Sequence, residues 1–303
     1  MGSATTAATS GRPGPAGASY GVRVQPGTTD VLALDLMPSG LTPTTVLLVV
    51  LAALVAGFVD AVVGGGGLVQ LPALLLVPGL SPVQALATNK LGSLLGTSTS
   101  AVTYHRRVHP DLRTALPMAG VALAASFLGA SIAARLPASV FKPVILVALV
   151  GIGAFTLLRP SIGQVTALRH TGRRHHGVAA VVGAVIGFYD GVLGPGTGSF
   201  LVFAMVSLLG YDFLAASAKA KIVNCATNLG ALVFFVPHGL VFWGLGLLLG
   251  AANTVGAYLG ARLATTRGSR FVRIAFLVVV TALLLRLGWD VWVEDIRPLA
   301  RHS

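Results

Sequence analysis

The sequence predicts an all-α polytopic membrane protein built from two inverted repeats of about five helical segments each, with Gly/Pro-interrupted helices. Three observations predict it. The first is composition: 54% of the 303 residues are hydrophobic, 10% are charged and 38 are glycine, a balance foreign to soluble folds of this length. The second is a series of apolar runs at 44–63, 66–80, 83–104, 114–134, 139–158, 177–193, 197–210, 213–236, 240–263 and 271–289. Most approach the roughly 20 residues that span a bilayer as a helix. The third is internal repetition. Gly57, Phe58, Asp60, Val62, Gly64 and Gly66 return as Gly187, Phe188, Asp190, Val192, Gly194 and Gly196. After a one-residue change of register, Ala85, Ala87 and Lys90 match Ala216, Ala218 and Lys221, and Gly129, Ala130, Ala134, Arg135 and Leu136 match Gly256, Ala257, Ala261, Arg262 and Leu263. The period is too long for a solenoid, so one fold unit is used twice.

The organisation that follows is a disordered N-terminal tail (1–40), a first membrane repeat (41–160), a basic linker (161–176), a second membrane repeat (177–290) and a C-terminal tail (291–303). Residues 1–40 are rich in Gly, Ala, Pro, Ser and Thr and contain no apolar run long enough for a core or a cleavable signal. Thr42-Pro43 joins an N-cap to a proline at the first helical position, so the first membrane helix starts there and runs to the glycines at 64–67. The next run is short and contains Pro72. From Leu68 to Pro78 a helix would rise only about 16 Å, half the hydrocarbon thickness. Its counterpart, after Gly194-Pro195-Gly196-Thr197-Gly198, is interrupted in the same way. Both fit either tilted spans or half-helices that turn back inside the protein. Ser81-Pro82 and Asp212 cap the third helix of each half. The runs at 114–134 and 139–158 complete the first half, and those at 240–263 and 271–289 the second.

A net charge of +12 could signal a nucleic-acid partner, but the basic residues sit between apolar runs rather than on one soluble face, so no nucleic acid is expected. Arg106, Arg107 and Arg113 flank one connection, Arg159, Arg169, Arg173 and Arg174 lie in the linker, and Arg262, Arg267, Arg270 and Arg273 flank a third. The positive-inside rule puts all three on the cytoplasmic side. The opposite face holds only Arg135 and Lys142. An even number of crossings between the linker and the last basic connection leaves each half an odd number. The halves are then inverted, and both termini face outward.

Inverted repeats with a Gly/Pro-interrupted segment at the same place in each half point to a transporter's central site. Lys90 and Lys221 fall about 12–14 Å into their helices, near the middle of a core about 30 Å thick. A charge at that depth costs at least about 2.5 kcal/mol, so each lysine needs a partner or a water-filled cavity. The bland alternative is a lysine paired permanently with an aspartate to orient helices. Lys90, Ser93 and Thr97 share one helical face, as do Lys221, Asn224 and Asn228. Interhelical bonding and pathway lining are equally open for Ser93 and Thr97, while lining is preferred for Asn224 and Asn228. Lys219 lies on another face, as an accessory charge. Asp60 and Asp190 each precede their glycine break by four residues, and with all five helices of each half crossing, depth counting sets Asp190 near the level of Lys90 and Asp60 nearer Lys221. Pairing across the repeats is therefore expected, with the aspartates as counter-ions or proton-coupling groups. The break glycines, Gly64 to Gly67 (Gly65 and Gly66 among them) and Gly194, Gly196 and Gly198, suit close helix packing. They also suit an anion held at helix N-termini. Two such termini beside two buried lysines suggest a small oxyanion.

Other chemistries find no support. The Gly64 run lacks the Gly-Lys-Ser/Thr of a phosphate-binding loop. Gly196-Thr197-Gly198-Ser199 has no intramembrane histidine to activate a serine. His105 and His109 border a basic loop, and His170, His175 and His176 lie in the linker. Cys225, the single cysteine, excludes a disulfide framework and a cysteine-based metal site and reads as a small buried residue. No cofactor, metal or enzymatic activity is expected.

Gly57-Phe58-Val59-Asp60 to Gly67, Ala85-Leu86-Ala87-Thr88-Asn89-Lys90-Leu91, Gly187-Phe188-Tyr189-Asp190-Gly191, and Ala218-Lys219-Ala220-Lys221 with Asn224 and Asn228 together resemble the sulfite exporter TauE/SafE family of bacterial membrane proteins. The resemblance covers roughly residues 45–290 and falls nearest the members known only as probable membrane transporters. It implies a bacterial inner-membrane protein of duplicated helices that moves small anions, with sulfite, sulfoacetate and related sulfur compounds among the proposed substrates. The long Gly/Pro-rich tail departs from the compact start usual in the family. The expected function is secondary transport, outward, of a small sulfur oxyanion or organosulfonate. Lys90, Lys221, Asn224, Asn228, Ser93, Thr97, Gly65, Gly66 and Gly196 would contact it, and self-association stays open. The alternative is a non-transporting membrane subunit or assembly factor that binds a partner helix.

Overall fold

The computed structural model describes residues 36–137 and 166–291, and these are helical, without strands. Most of the N-terminal tail, the run at 139–158, the beginning of the linker and the C-terminal tail lie outside the described residues.

Helix α1 spans Pro43–Val63, capped by the Thr42 hydroxyl, which accepts from the Thr45 N–H at 3.2 Å. It stops at Gly64, whose φ of 83° only glycine adopts without strain. Helix α2 (Gly67–Leu75) contains Pro72. Helix α3 (Pro82–Val108) opens with a capping box between Ser81 and Gln84. Helix α4 (Leu112–Ala133) is capped by Asp111. In the second half, α5 spans Gly172–Val192, and α6 (Thr197–Ala204) runs on into a π-helical turn at Met205–Leu209. Helix α7 (Phe213–Phe235) is capped by Asp212, and α8 (Trp243–Val291) is broken at Gly268.

One difference from the sequence reading follows. The boundary between linker and second repeat moves, because α5 begins at Gly172 and takes in Arg173, Arg174 and His175. His175 is buried, its Nε2 within 3.2 Å of the Thr114 hydroxyl and 3.0 Å of the Tyr211 hydroxyl. These partners on distant segments let a polar stretch enter a helix that hydropathy alone would start later. Each short interrupted segment ends beside the stretch that precedes the first helix of its half, as both a tilted span and a half-helix allow. Gly79 packs against the backbone of Ser39, ahead of α1. In the second half, Ala167 and Arg169, ahead of α5, donate backbone hydrogen bonds to Gly210 and Leu209, after α6.

Helices α1, α4 and the Trp243–Val278 part of α8 are long and apolar enough to cross a membrane. They turn leucines outward, as at Leu47, Leu48, Leu51, Leu116 and Leu128, and form an apolar jacket around the polar helices α3 and α7. Helix α1 packs along α8 and α4 along α5, while α8 also covers α3 and α4 also covers α7. Glycine makes these contacts close. A methyl group on Gly191 would sit 2.0 Å from the Ser126 carbonyl oxygen, and one on Gly256 2.0 Å from that of Leu54. One core cluster joins the end of α3 (Tyr104) to the starts of α4 (Met118), α5 (Ala179) and α7 (Phe213). The other joins the start of α3 (Leu86) to the ends of α4 (Ala133) and α7 (Phe235) and the start of α8 (Leu245). Helices α3 and α7 therefore run in opposite senses. The Ser269 hydroxyl bonds the Asp212 carboxylate, which brings the Gly268 break to the first of these ends, where the α3–α4 connection and the start of α5 also lie. Arg106, Arg107, Arg113, Arg173 and Arg174 thus gather with Arg267 and Arg270 at one end.

Candidate functional site

Lys90, Asp190, Lys221 and Asp60 form two ion pairs, each joining one half to the other. Lys90 Nζ on α3 lies 2.7 Å from Asp190 Oδ2 on α5, and Lys221 Nζ on α7 lies 2.9 Å from Asp60 Oδ2 on α1. This is the cross-repeat pairing that depth counting anticipates. Both lysine side chains are 1% exposed, Asp190 is 2% and Asp60 14% exposed. The second carboxylate oxygens are held too. The Thr197 hydroxyl donates to Asp190 Oδ1 at 2.6 Å, and the Gly66 N–H donates to Asp60 Oδ1 at 3.4 Å. Lys221 also donates to the Asp60 backbone carbonyl. Removing one partner of such a pair leaves a buried charge uncompensated, at a cost of about 3–5 kcal/mol.

The two glycine breaks touch. Gly64 and Gly198 approach so closely that a methyl on Gly64 would lie 2.2 Å from the Gly198 carbonyl carbon. The Ser199 N–H donates to the Gly64 carbonyl at 3.0 Å, and the Ser199 hydroxyl to the Val63 carbonyl at 2.8 Å. The N-terminus of α6 thereby caps the carbonyl end of α1. Part of the expected anion cradle is thus already engaged, because the Ser199 and Gly66 N–H groups serve the protein itself.

Between the breaks and the central helices lies a polar cavity of about 20 Å³, room for roughly one water molecule. Lys90, Ser93 and Thr97 line it from α3, Asn224 and Asn228 from α7, Asp60 and Asp190 from the first helix of each half, and Gly66 and Gly196 from the breaks. Two expected site residues do not line it. Lys221 stands behind Asp60, and Gly65 faces Leu68 and Val59. The two amines therefore do not converge on the chamber. Lys90 reaches it, whereas Lys221 is masked by the backbone and carboxylate of one residue. Asn228 also spends an amide N–H on the Asn224 carbonyl, 2.9 Å away.

Sequence reasoning missed Asn89, Gln70 and Asn253. Asn89 lines the cavity beside Lys90, and its buried Oδ1 has no hydrogen-bond partner among the described residues. Asn253 on α8 also lines it, donates to Gln70 Oε1 at 2.6 Å, and fills the space left by Gly57 and Gly96. An asparagine in the apolar run at 240–263 was the available signal. Lys219, the accessory charge, lies apart at the basic end, donating to the Asp111 carbonyl and sitting 4.8 Å over the Tyr211 ring. Cys225 meets Ser98 at 3.1 Å between α7 and α3.

Comparison with known proteins gives one consistent picture. The family described as Sulfite exporter TauE/SafE matches residues 49–287. A "Probable membrane transporter protein ORF9" of Sinorhizobium sp is 38% identical over 239 residues, covering 79% of this chain and 90% of that protein. The "Probable membrane transporter protein YfcA" of Escherichia coli (strain K12) is 33% identical over 246 residues, 80% of this chain and 90% of its own. A "Probable membrane transporter protein" of Haemophilus influenzae is 32% identical over 236 residues, 78% and 91%. No solved structure matches the chain.

Proposed function

Because the chain belongs to the sulfite exporter TauE/SafE family, we propose that it is a secondary transporter moving a small sulfur oxyanion of the sulfite class outward across the bacterial inner membrane. One observation carries the reading. A polar cavity sits where the Gly/Pro-interrupted segments of both halves meet, and a buried lysine lines it. Lys90 supplies the positive charge. Ser93, Thr97, Asn224 and Asn228 offer hydroxyl and amide groups, and Asp60 and Asp190 hold the empty site together. Among the described residues the walls are polar side chains and glycine backbone, with no hydrocarbon side chain, which favours a compact inorganic anion over a long organosulfonate. The positive-inside rule turns the arginine-rich end to the cytoplasm and both termini outward. At about 20 Å³ this is an occluded arrangement, and the halves must separate before an anion enters.

The masking of both ammonium groups favours a second reading, in which the pairs only orient helices in a non-transporting subunit or assembly factor. Flux of labelled sulfite and sulfoacetate in inverted vesicles separates the two. Transport predicts large losses for Lys90→Ala and smaller ones for Lys221→Ala, and equal flux in all preparations would end the transporter assignment for those anions.

A further inference from the structure

The charges around the cavity cancel. Lys90 and Asp190 form one neutral pair and Lys221 and Asp60 another, and among the described residues no further Asp, Glu, Lys or Arg lines the chamber. An anion arriving alone would leave a net negative charge buried near mid-bilayer, an expensive state. Something positive has to enter with it. A metal cation would meet the charge of the ammonium groups, which stand 2.7 Å from Asp190 Oδ2 and 2.9 Å from Asp60 Oδ2, and the cavity has room for about one water. A proton needs no room.

The two pairs differ in how readily they could exchange partners. Lys221 has two acceptors, both from Asp60, and does not reach the cavity. Lys90 has one acceptor among the described residues, Asp190. An ammonium has three N–H donors, so Lys90 keeps donors for a ligand on the cavity side. Asp190 is steadied by the uncharged Thr197 hydroxyl. The groups facing Asp190 are Lys90 from α3 and Thr197 from α6. Its neighbour Tyr189 turns its hydroxyl to the Pro195 carbonyl, Asp60 with Lys221 stands across the cavity, and α4 brings the backbone of Ser126 and Ala130 against Gly191.

Building on the transporter reading above, we propose that one monovalent anion, hydrogensulfite for the sulfite class, and one proton occupy this site together: the anion replaces the Asp190 carboxylate on the Lys90 ammonium, and the proton replaces Lys90 on that carboxylate. Loaded and empty sites are then equally neutral. The proton comes from the water on the side where the anion enters and leaves with it on the other. Transport is electroneutral, and its direction follows the sum of the anion and proton gradients. Export against an inward proton gradient needs an internal anion excess of about tenfold for each pH unit.

The test uses the purified full chain in proteoliposomes with [35S]sulfite, after subtraction of flux into protein-free liposomes. Balanced exchange is compared with net uptake under an imposed pH gradient and under a potassium–valinomycin potential. The wild type should accumulate sulfite about tenfold per pH unit and ignore the potential. In Asp190→Asn the ratio of gradient-driven net flux to exchange flux should fall toward zero, whereas Asp60→Asn should lower exchange yet keep the wild-type ratio. Uptake that follows the potential without regard to pH, or an Asp190→Asn protein that keeps the ratio, would overturn the coupling while leaving transport standing. Absence of exchange in the wild type would instead remove the sulfite-transport reading, and the coupling with it. Should Asp190→Asn fail to fold, the wild-type split between pH gradient and potential still decides.

Discussion

The two ion pairs share one sequence motif but stand in different surroundings. Lys90–Asp190 borders the cavity, is almost wholly buried and is steadied by a side-chain hydroxyl. In Lys221–Asp60 only the carboxylate lines the cavity, with the lysine behind it and an Asp60 that is 14% exposed and steadied by a long backbone hydrogen bond. The difference traces to single residues. Thr197 occupies the position that Gly67 holds in the first break, Phe200 that of Gln70, and Ser126 that of Asn253. A few unmatched polar residues thus set the surroundings of two otherwise similar pairs apart, and the proposed function makes Lys90–Asp190 the working pair.

The largest expected effect tests that assignment directly. Lys90→Ala should lower sulfite flux at least about 100-fold, the scale of an uncompensated buried charge, and Lys221→Ala about tenfold. Equal losses would erase the distinction between the pairs. The next test is thermodynamic. Adding Asp190→Asn to Lys90→Ala should restore about 2–3 kcal/mol of the stability lost by Lys90→Ala alone, read from unfolding in detergent. The matching rescue of Lys221→Ala by Asp60→Asn should be smaller, because Asp60 is partly solvated. Thr197→Val removes the hydroxyl that holds Asp190 and should cost about 1.5–3 kcal/mol, with no counterpart effect at Gly67.

The smallest effect contrasts the caps of the two central helices. Burial pushes the Asp212 carboxyl up, but hydrogen bonds from the Ser269 and Thr166 hydroxyls and from the Ala215 and Leu214 N–H groups outweigh it and hold Asp212 below the usual carboxylate range. A depressed folded value means that the cap is fully stabilising above the ordinary carboxylate pKa, about 3.9. Its contribution is lost as pH falls through the lower folded value. Ser81, the corresponding cap of α3, does not titrate. Acidification should therefore weaken the cap of α7 but not that of α3, by about 1 kcal/mol, and Asp212→Ser should abolish the difference. Hydrogen exchange in the first turns of the two helices would show it.

Much of this was legible in the chain itself. Thr42, Ser81 and Asp212 mark helix starts that the structure confirms, because a cap acts on the N–H groups of the very next turn. The breaks at Gly64 and Gly196 are equally local, with φ of 83° and 78°. The start of α5 was not legible, since His175 finds its partners on α4 and on the segment before α7. The bridge between Asn253 and Gln70 was also hidden, because the two lie 183 positions apart and the repeat offers no matching pair to suggest it.

The sequence by itself determined an all-helical membrane protein and the helix starts at Thr42, Ser81 and Asp212, because composition and local caps act along the chain without reference to any distant neighbour. Only the tertiary structure decided that Lys90 meets the cavity while Lys221 is masked, and that Ser199 and Gly66 spend their N–H groups on the other break and on Asp60. Those outcomes depend on how close two helices from different halves can approach, and the distance is set by glycine contacts and side-chain shapes contributed jointly by residues far apart in the chain.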